Sequence, residues 1–263
     1  PYLLPCLFSS AMSSIAFILA FSKLPESLPP GKRSDSGASP LSQIGETASS
    51  IASVLKLPTI SSLVVVNFLF LLGFTMMHGT FILFTSMEPE SGGLGWSERD
   101  NGWVFAFIGL LGVIIQGGLI GPLTRRFSLR GMMIVGTALS GLGVASIPYA
   151  PAEVSWLIFG SCAGIAIGNG LFSPTQSSLL TFETKGGGHE LGMVMGAQEG
   201  SGALARIIGP FLAAYIWSLT VDGEGLWTYH TCFRVAGVVF FAALLLQFGL
   251  RTKEAGAPQP GGV

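Results

Sequence analysis

Charge is what this sequence has least of. Only 10% of its 263 residues are Asp, Glu, Lys or Arg, against about 25% in an ordinary soluble domain. A surface so poor in charge is not built to meet water on every side. The net charge is −1, which excludes the basic field that nucleic acid requires, so no nucleic-acid partner is expected. Cysteine is scarce too. Cys6, Cys162 and Cys232 fall in apolar stretches, with neither metal-ligand spacing nor a disulfide framework, and they read as small packing residues. No nucleotide-binding loop, metal cluster or catalytic triad is visible. An enzyme, an ATP-driven pump, a bound metal and a cofactor are therefore not expected. An initial methionine is also missing: the chain opens at Pro1 on residues that are already apolar. It is expected to be a fragment, or one half, of a longer protein; a cleaved signal peptide fits poorly, because apolar spans continue to the end.

What the sequence has instead is a set of long, nearly uncharged apolar runs and a mean hydropathy of +0.64. Seven spans can be marked, at about Tyr2–Phe21, Leu63–Phe84, Trp103–Leu123, Met132–Ala150, Trp156–Leu180, Met193–Leu219 and Cys232–Leu250. Each is long enough to cross a hydrocarbon core of about 30 Å. Lipid cannot satisfy a bare backbone amide, so the spans must be helices. The expected class is an all-α polytopic membrane protein, multi-pass in a plasma or inner membrane.

Between the first two spans, Leu41, Ile44, Ala48, Ile51 and Leu55 recur at helical spacing within a polar, Ser/Gly/Pro-rich stretch. A short amphipathic helix along the membrane surface is expected there. Charge then orients the bundle. Alternate loops hold Lys23, Lys32, Arg33 and Lys56, then Arg125, Arg126 and Arg130, then Lys185, then Arg251 and Lys253. The opposite loops hold mainly acids, so the basic side is expected to be cytoplasmic. All five tryptophans and all four tyrosines fall near the other, outer ends, as interfacial aromatics should.

Ionisable groups at membrane depth are expensive and each is a functional candidate. His78 lies near the middle of its span, and imidazole is the side chain that changes charge near neutral pH. It is either a proton-coupling or substrate-contact residue, or a histidine bonded across a helix pair. Glu199 and Arg206 lie in GAQEGSGALARIIGP, residues 196–210. Seven residues put them on one helix face, about 10.5 Å apart along the axis, too far for an ideal i,i+4 pair. Glu199 is a proton or cation acceptor, or it sits near enough to the cytoplasm to meet water. Arg206 holds that charge, contacts substrate, or bonds to backbone carbonyls. Around them, Gly192, Gly196 and Gly200 form one ridge of small residues, and Ala197, Ser201, Ala205 and Gly209 another. Such ridges let helices approach closely in lipid. Gly209-Pro210 removes a ladder hydrogen bond, so a kink is expected. Gln198 joins the polar inventory of this helix. Asn67 and Gln116 read as packing hydrogen bonds, and Arg234, opening the last span on the outer side, as a residue that snorkels to the interface.

Five stretches together resemble a known family: LPESLPPGKR, NFLFLLGFTMMHGTFILF, GWSERDNGWVFAFIGLLGVIIQGGLIGPLTRRF, GNGLFSPTQSSLL and GALARIIGP. In this order and spacing they resemble the C-terminal half of a major facilitator superfamily transporter, near the tetracycline-resistance-like drug:proton antiporter branch. The likeness covers nearly all of residues 1–254 and implies helices six to twelve of that fold. Residues 1–22 would then be the sixth helix of a truncated N-terminal bundle and 23–58 a cytoplasmic linker. Residues 59–251 would form the C-terminal six-helix bundle, and 252–263 a cytoplasmic tail. The resemblance also implies inverted three-helix repeats around a central cavity, with the N-terminal bundle as the missing partner.

The same resemblance assigns candidate roles. Asn169, Pro174 and Gln176 fall in the tenth helix, which lines the cavity in the family; with Gln198 and Arg206 they are the substrate-cavity candidates, and hydrogen bonding between helices is the equal alternative for the tenth-helix residues. Gly209, Pro210 and Pro174 are the kink and gating candidates, and Gly209-Pro210 is a weakened echo of an antiporter Gly-Pro motif. The loop GPLTRRFSLR keeps the family's positive charge in Arg125, Arg126 and Arg130 but puts Arg125 where an acid would fall. His78 stands where similar transporters often have glutamate. The function expected is secondary transport by alternating access: proton-coupled efflux of a small amphipathic molecule, with Glu199 and His78 as proton-coupling candidates. The alternatives are a proton-independent facilitator or sensor of the same fold, and a non-transporting membrane scaffold.

Overall fold

The computed structural model describes residues 3–24, 56–151, 154, 156–187, 191–220 and 228–250. Seven helices in it are long and apolar enough to cross a membrane, and no strand occurs among the described residues. The chain is an all-α polytopic membrane protein. It divides into two units, Pro1–Gly45 and Glu46–Val263. The first contains α1 (Leu3–Lys23), an apolar helix with no buried residue; a helix apolar on every side suits lipid. The second contains α2 (Pro58–Ser86), α3 (Glu98–Arg126), α4 (Leu129–Ser146), α5 (Leu157–Gly187), α6 (Leu191–Thr220) and α7 (His230–Gly249). The surface helix expected around residues 41–55 and the tail expected at 252–263 lie outside the described residues.

The helices reach further than the apolar runs, because their ends are set by capping chemistry in the polar zone. Helix α2 starts at Pro58, where proline loses no amide that a first turn would have used. Helix α3 starts at Glu98, on a reciprocal cap. The Ser97 backbone N–H donates to the Asp100 carboxylate at 3.0 Å, and the Asp100 N–H donates back to Ser97 Oγ. The hairpin before it turns at Gly92, whose φ of +89° brings the backbone against the Tyr229 ring; a side chain there would meet both obstacles.

Inside the second unit, small residues let backbones touch. A Cβ added to Gly136 of α4 would lie 2.7 Å from the Gly168 carbonyl oxygen of α5, and one added to Gly143 would lie 2.6 Å from the Ser161 carbonyl oxygen. Between lipid-embedded helices there is little hydrophobic drive, so such close contact supplies the attraction. Phe70 of α2 stacks on Phe172 of α5 with ring centroids 3.7 Å apart, and meets Phe240 of α7 edge-on at 5.2 Å. Gly73 and Gly141 face the same Phe240 ring.

Of the two small-residue ridges on α6, one is packed. Ala197, Ala205 and Gly209 are buried, and Thr75 of α2 donates its hydroxyl to the Ala205 carbonyl at 3.1 Å beside Gly209. A Cβ added at Gly192, Gly196 or Gly200 would meet nothing within 4 Å among the described residues. Pro174 and Pro210 lie inside continuous helices, α5 and α6. Helix α3 holds a π-turn at Ile115–Leu119, which seats Ile115 against Gly170 of α5.

A methyl group at a backbone contact overpacks the pair, at a cost of about 1–3 kcal/mol. Gly136→Ala is therefore expected to lower the unfolding midpoint in detergent, while Gly118→Ala, at an open position, leaves it unchanged.

Candidate functional site

The polar residues of the second unit separate into two groups. The first is buried and serves to tie helices. Asn67 of α2 donates from Nδ2 to the Gln198 carbonyl at 3.1 Å and to Ser201 Oγ at 3.2 Å on α6. Gln198 in turn donates to Ser177 Oγ of α5 at 3.2 Å. The neighbouring Gln176 donates across to the Leu63 carbonyl of α2 at 2.8 Å. Three helices thus meet in one hydrogen-bonded node, with Gln176 fully buried and Gln198 6% exposed. Two of the expected cavity residues therefore join helices in this conformation. Each leaves its amide oxygen without a partner among the described residues.

A second tie closes the basic end. Arg130 donates from Nη2 to the carbonyls of Gln247 and Phe248 at 3.2 and 2.8 Å. Those carbonyls belong to the last turn of α7, where a cation also complements the helix dipole. Gln247 donates to Thr137 of α4 at 2.7 Å. Arg125 and Arg126 end α3 and are exposed.

The second group is left over. His78 lies eight residues before the end of α2 at Ser86, about 12 Å along the axis. Its imidazole runs nearly parallel to the Phe74 ring at 6.1 Å and meets Phe105 of α3 edge-on at 6.1 Å. With Phe81, Cys162 and Ile165 these rings bound a cleft of about 90 Å³ between α2, α3 and α5. The sequence carries a signal for this cleft, since residues 74, 78 and 81 fall on one helix face. Glu199 and Arg206 are exposed on α6 and form no ion pair among the described residues. The carbonyl bonds weighed for Arg206 are absent there too. Its guanidinium folds back along α6, so that a Cβ on Gly202 would sit 3.8 Å from Nη2 and 3.6 Å from Asn67 Nδ2. Asn169 and Pro174 are half-buried on α5. Nearer the basic end of α5, Ser177, Thr181 and Lys185 border a hollow of about 350 Å³. Among the described residues no group of His, Cys, Asp and Glu is arranged to hold a metal.

A bundle of membrane-length helices tied by buried amides defines a polytopic membrane protein. The chain belongs to the Major Facilitator Superfamily, whose family model matches residues 3–210 and 69–262. It is 34% identical over 90 residues to dipeptide and tripeptide permease A of Erwinia pyrifoliae, covering 34% of this chain and 18% of the permease. It is 30% identical over 153 residues to multidrug resistance protein MdtH of Photorhabdus laumondii, covering 57% of this chain and 35% of that protein. The matched stretches thus span only 18% and 35% of the length of these relatives. A crystal structure of a POT family transporter in complex with a thioalcohol-conjugated peptide has the same fold, with a TM-score of 0.61 at 18% identity, over 73% of this chain and 38% of that one. Peptide transporter POT in complex with sulfate gives a TM-score of 0.57 at 22% identity, over 75% and 38%.

Interhelical hydrogen bonds in membrane proteins contribute about 0.6 kcal/mol each on average. A double-mutant cycle of Asn67→Ala and Ser201→Ala, followed by unfolding in mixed micelles, is expected to give a coupling of about that size.

Proposed function

We propose that this chain is the C-terminal bundle of a proton-coupled secondary transporter that exports a small amphipathic molecule by alternating access. The observation that carries the reading is His78, an ionisable group at membrane depth set among aromatic rings in a cleft between three helices. A proton acceptor there senses which side of the membrane is open, and rings around it suit an apolar or cationic solute. Glu199 and Arg206 support the same reading. Both are exposed on α6 without an ion-pair partner among the described residues, and bare charge in the membrane requires water, solute or further protein.

In the cycle, protonation of His78 or Glu199 favours one state of the transporter, and solute competes for that state. Coupling requires each ligand to bind the two states unequally. The N-terminal bundle of the same protein supplies the other wall of the cavity and covers the open glycines of α3 and α6. The basic loops, with Arg125, Arg126 and Arg130, lie on the cytoplasmic side. The similarity to a multidrug resistance protein supports an amphipathic solute.

A second reading keeps the proton and changes the cargo to a short peptide. It is favoured by the similarity to dipeptide and tripeptide permeases, and by Arg206, whose unpaired guanidinium suits a carboxylate.

The full-length protein in proteoliposomes with an imposed pH gradient tests both. Solute-driven proton flux is expected with an amphipathic cation and not with a dipeptide; the reverse selects the second reading. Glu199→Gln or His78→Ala is expected to lower gradient-driven transport roughly tenfold while solute exchange without a gradient persists. Full coupling in both variants removes these residues from the proton path.

A further inference from the structure

The outward faces of α4 and α7 enclose a trough of about 590 Å³ that shares no residue with the His78 cleft. Its floor lies where side chains are smallest. A Cβ on Gly237 would sit 3.3 Å from that of Ala145, and Phe240 packs over Gly141. Its rims are Leu142, Val238 and Phe241, which are 69%, 65% and 58% exposed. Large apolar side chains left open halfway along a membrane span face acyl chains, which are as apolar as leucine.

At one end the trough stops being apolar. Tyr149 follows α4, and Arg234 lies four residues into α7, about 6 Å from its start along the axis. Arg234 donates from Nε to the Tyr149 hydroxyl at 2.9 Å, and its guanidinium carbon lies 5.8 Å from the Tyr149 ring centroid. The His230 ring also packs on that tyrosine, with 5.2 Å between ring centroids. The guanidinium is thereby oriented, and its two terminal NH2 groups have no partner among the described residues. A charged planar fork with free donors matches phosphate oxygens. An oriented cation at the interfacial end of an apolar trough is complementary to one kind of ligand, an anion that carries a long hydrocarbon chain.

We propose that the trough binds one anionic phospholipid, with an acyl chain lying between α4 and α7 and the phosphate on Arg234. The trough has the volume of a small-molecule site, and its one charged side chain, Arg234, stands at the end where a headgroup belongs. Lipid held there bridges α4 and α7 on the outer side, as Arg130 and Gln247 bridge them at the opposite end. The site acts independently of which solute is carried.

The test is native mass spectrometry of the delipidated full-length protein, titrated with phosphatidylglycerol or phosphatidylcholine, with thermal unfolding in parallel. One phosphatidylglycerol is expected to remain bound and to raise the unfolding temperature, while phosphatidylcholine does neither. Arg234→Gln is expected to weaken phosphatidylglycerol roughly tenfold, and Arg234→Lys to restore part of the loss. Val238→Trp fills the trough without touching the anchor and is expected to expel the lipid, which covers the case in which Arg234→Gln fails to fold. Equal retention of the two lipids, or full retention by Arg234→Gln and Val238→Trp together, overturns the proposal. So does efficient cross-linking of Val238→Cys between two copies in lipid, since a second chain would then occupy the trough.

Discussion

Hydrocarbon offers no hydrogen bonds, and every feature of this molecule follows from how the chain meets that condition. Helices satisfy the backbone locally, so each span can enter lipid alone. That leaves little hydrophobic reason for spans to associate, and association has to come from contact itself. Here it comes from α4 and α5 meeting backbone to backbone at Gly136, Gly143 and Gly168, and from Phe70 stacked on Phe172 and edge-on to Phe240. The buried amides act on top of that contact. Asn67, Gln176, Gln198 and Gln247 each reach a neighbouring helix, because an amide in this interior has no water to turn to.

The same condition separates the surfaces. On α4 and α7 the outward residues are large and apolar, with Arg130 tied to carbonyls at one end and Arg234 against Tyr149 at the other. On α3 and α6 the outward residues include glycines with nothing beside them and the charged pair Glu199 and Arg206. Under the proposed function, this second face is the one on which water, solute or a further bundle acts. His78 belongs with this second set, although it lies on α2, because the cleft that receives it opens between α2, α3 and α5.

Much of the architecture was legible in the sequence. Long apolar runs located all seven spans. What hydropathy missed were the ends: Pro58 and the Ser97–Asp100 cap extend two helices beyond their apolar windows, since capping is chemistry of the polar zone. At the site, the ionisable residues were legible because charge is rare in lipid. Their surroundings were not. Gln176 and Gln198 look alike as polar residues in apolar helices whether they face a cavity or a neighbouring carbonyl. The two ridges of α6 were equally good in composition, yet only the one facing α2 is packed.

The sequence by itself determined that this chain crosses a membrane as helices and that its few charges at depth would matter, because hydropathy and charge act residue by residue. Only the tertiary structure decided which polar groups are consumed in ties and which stay free. That choice depends on how each helix is rotated about its axis. The rotation is set by contacts such as Gly136 with Gly168, Thr75 with Ala205 and Phe70 with Phe240, whose members lie far apart in sequence. A side chain's depth is a local property. Its facing direction belongs to the whole bundle.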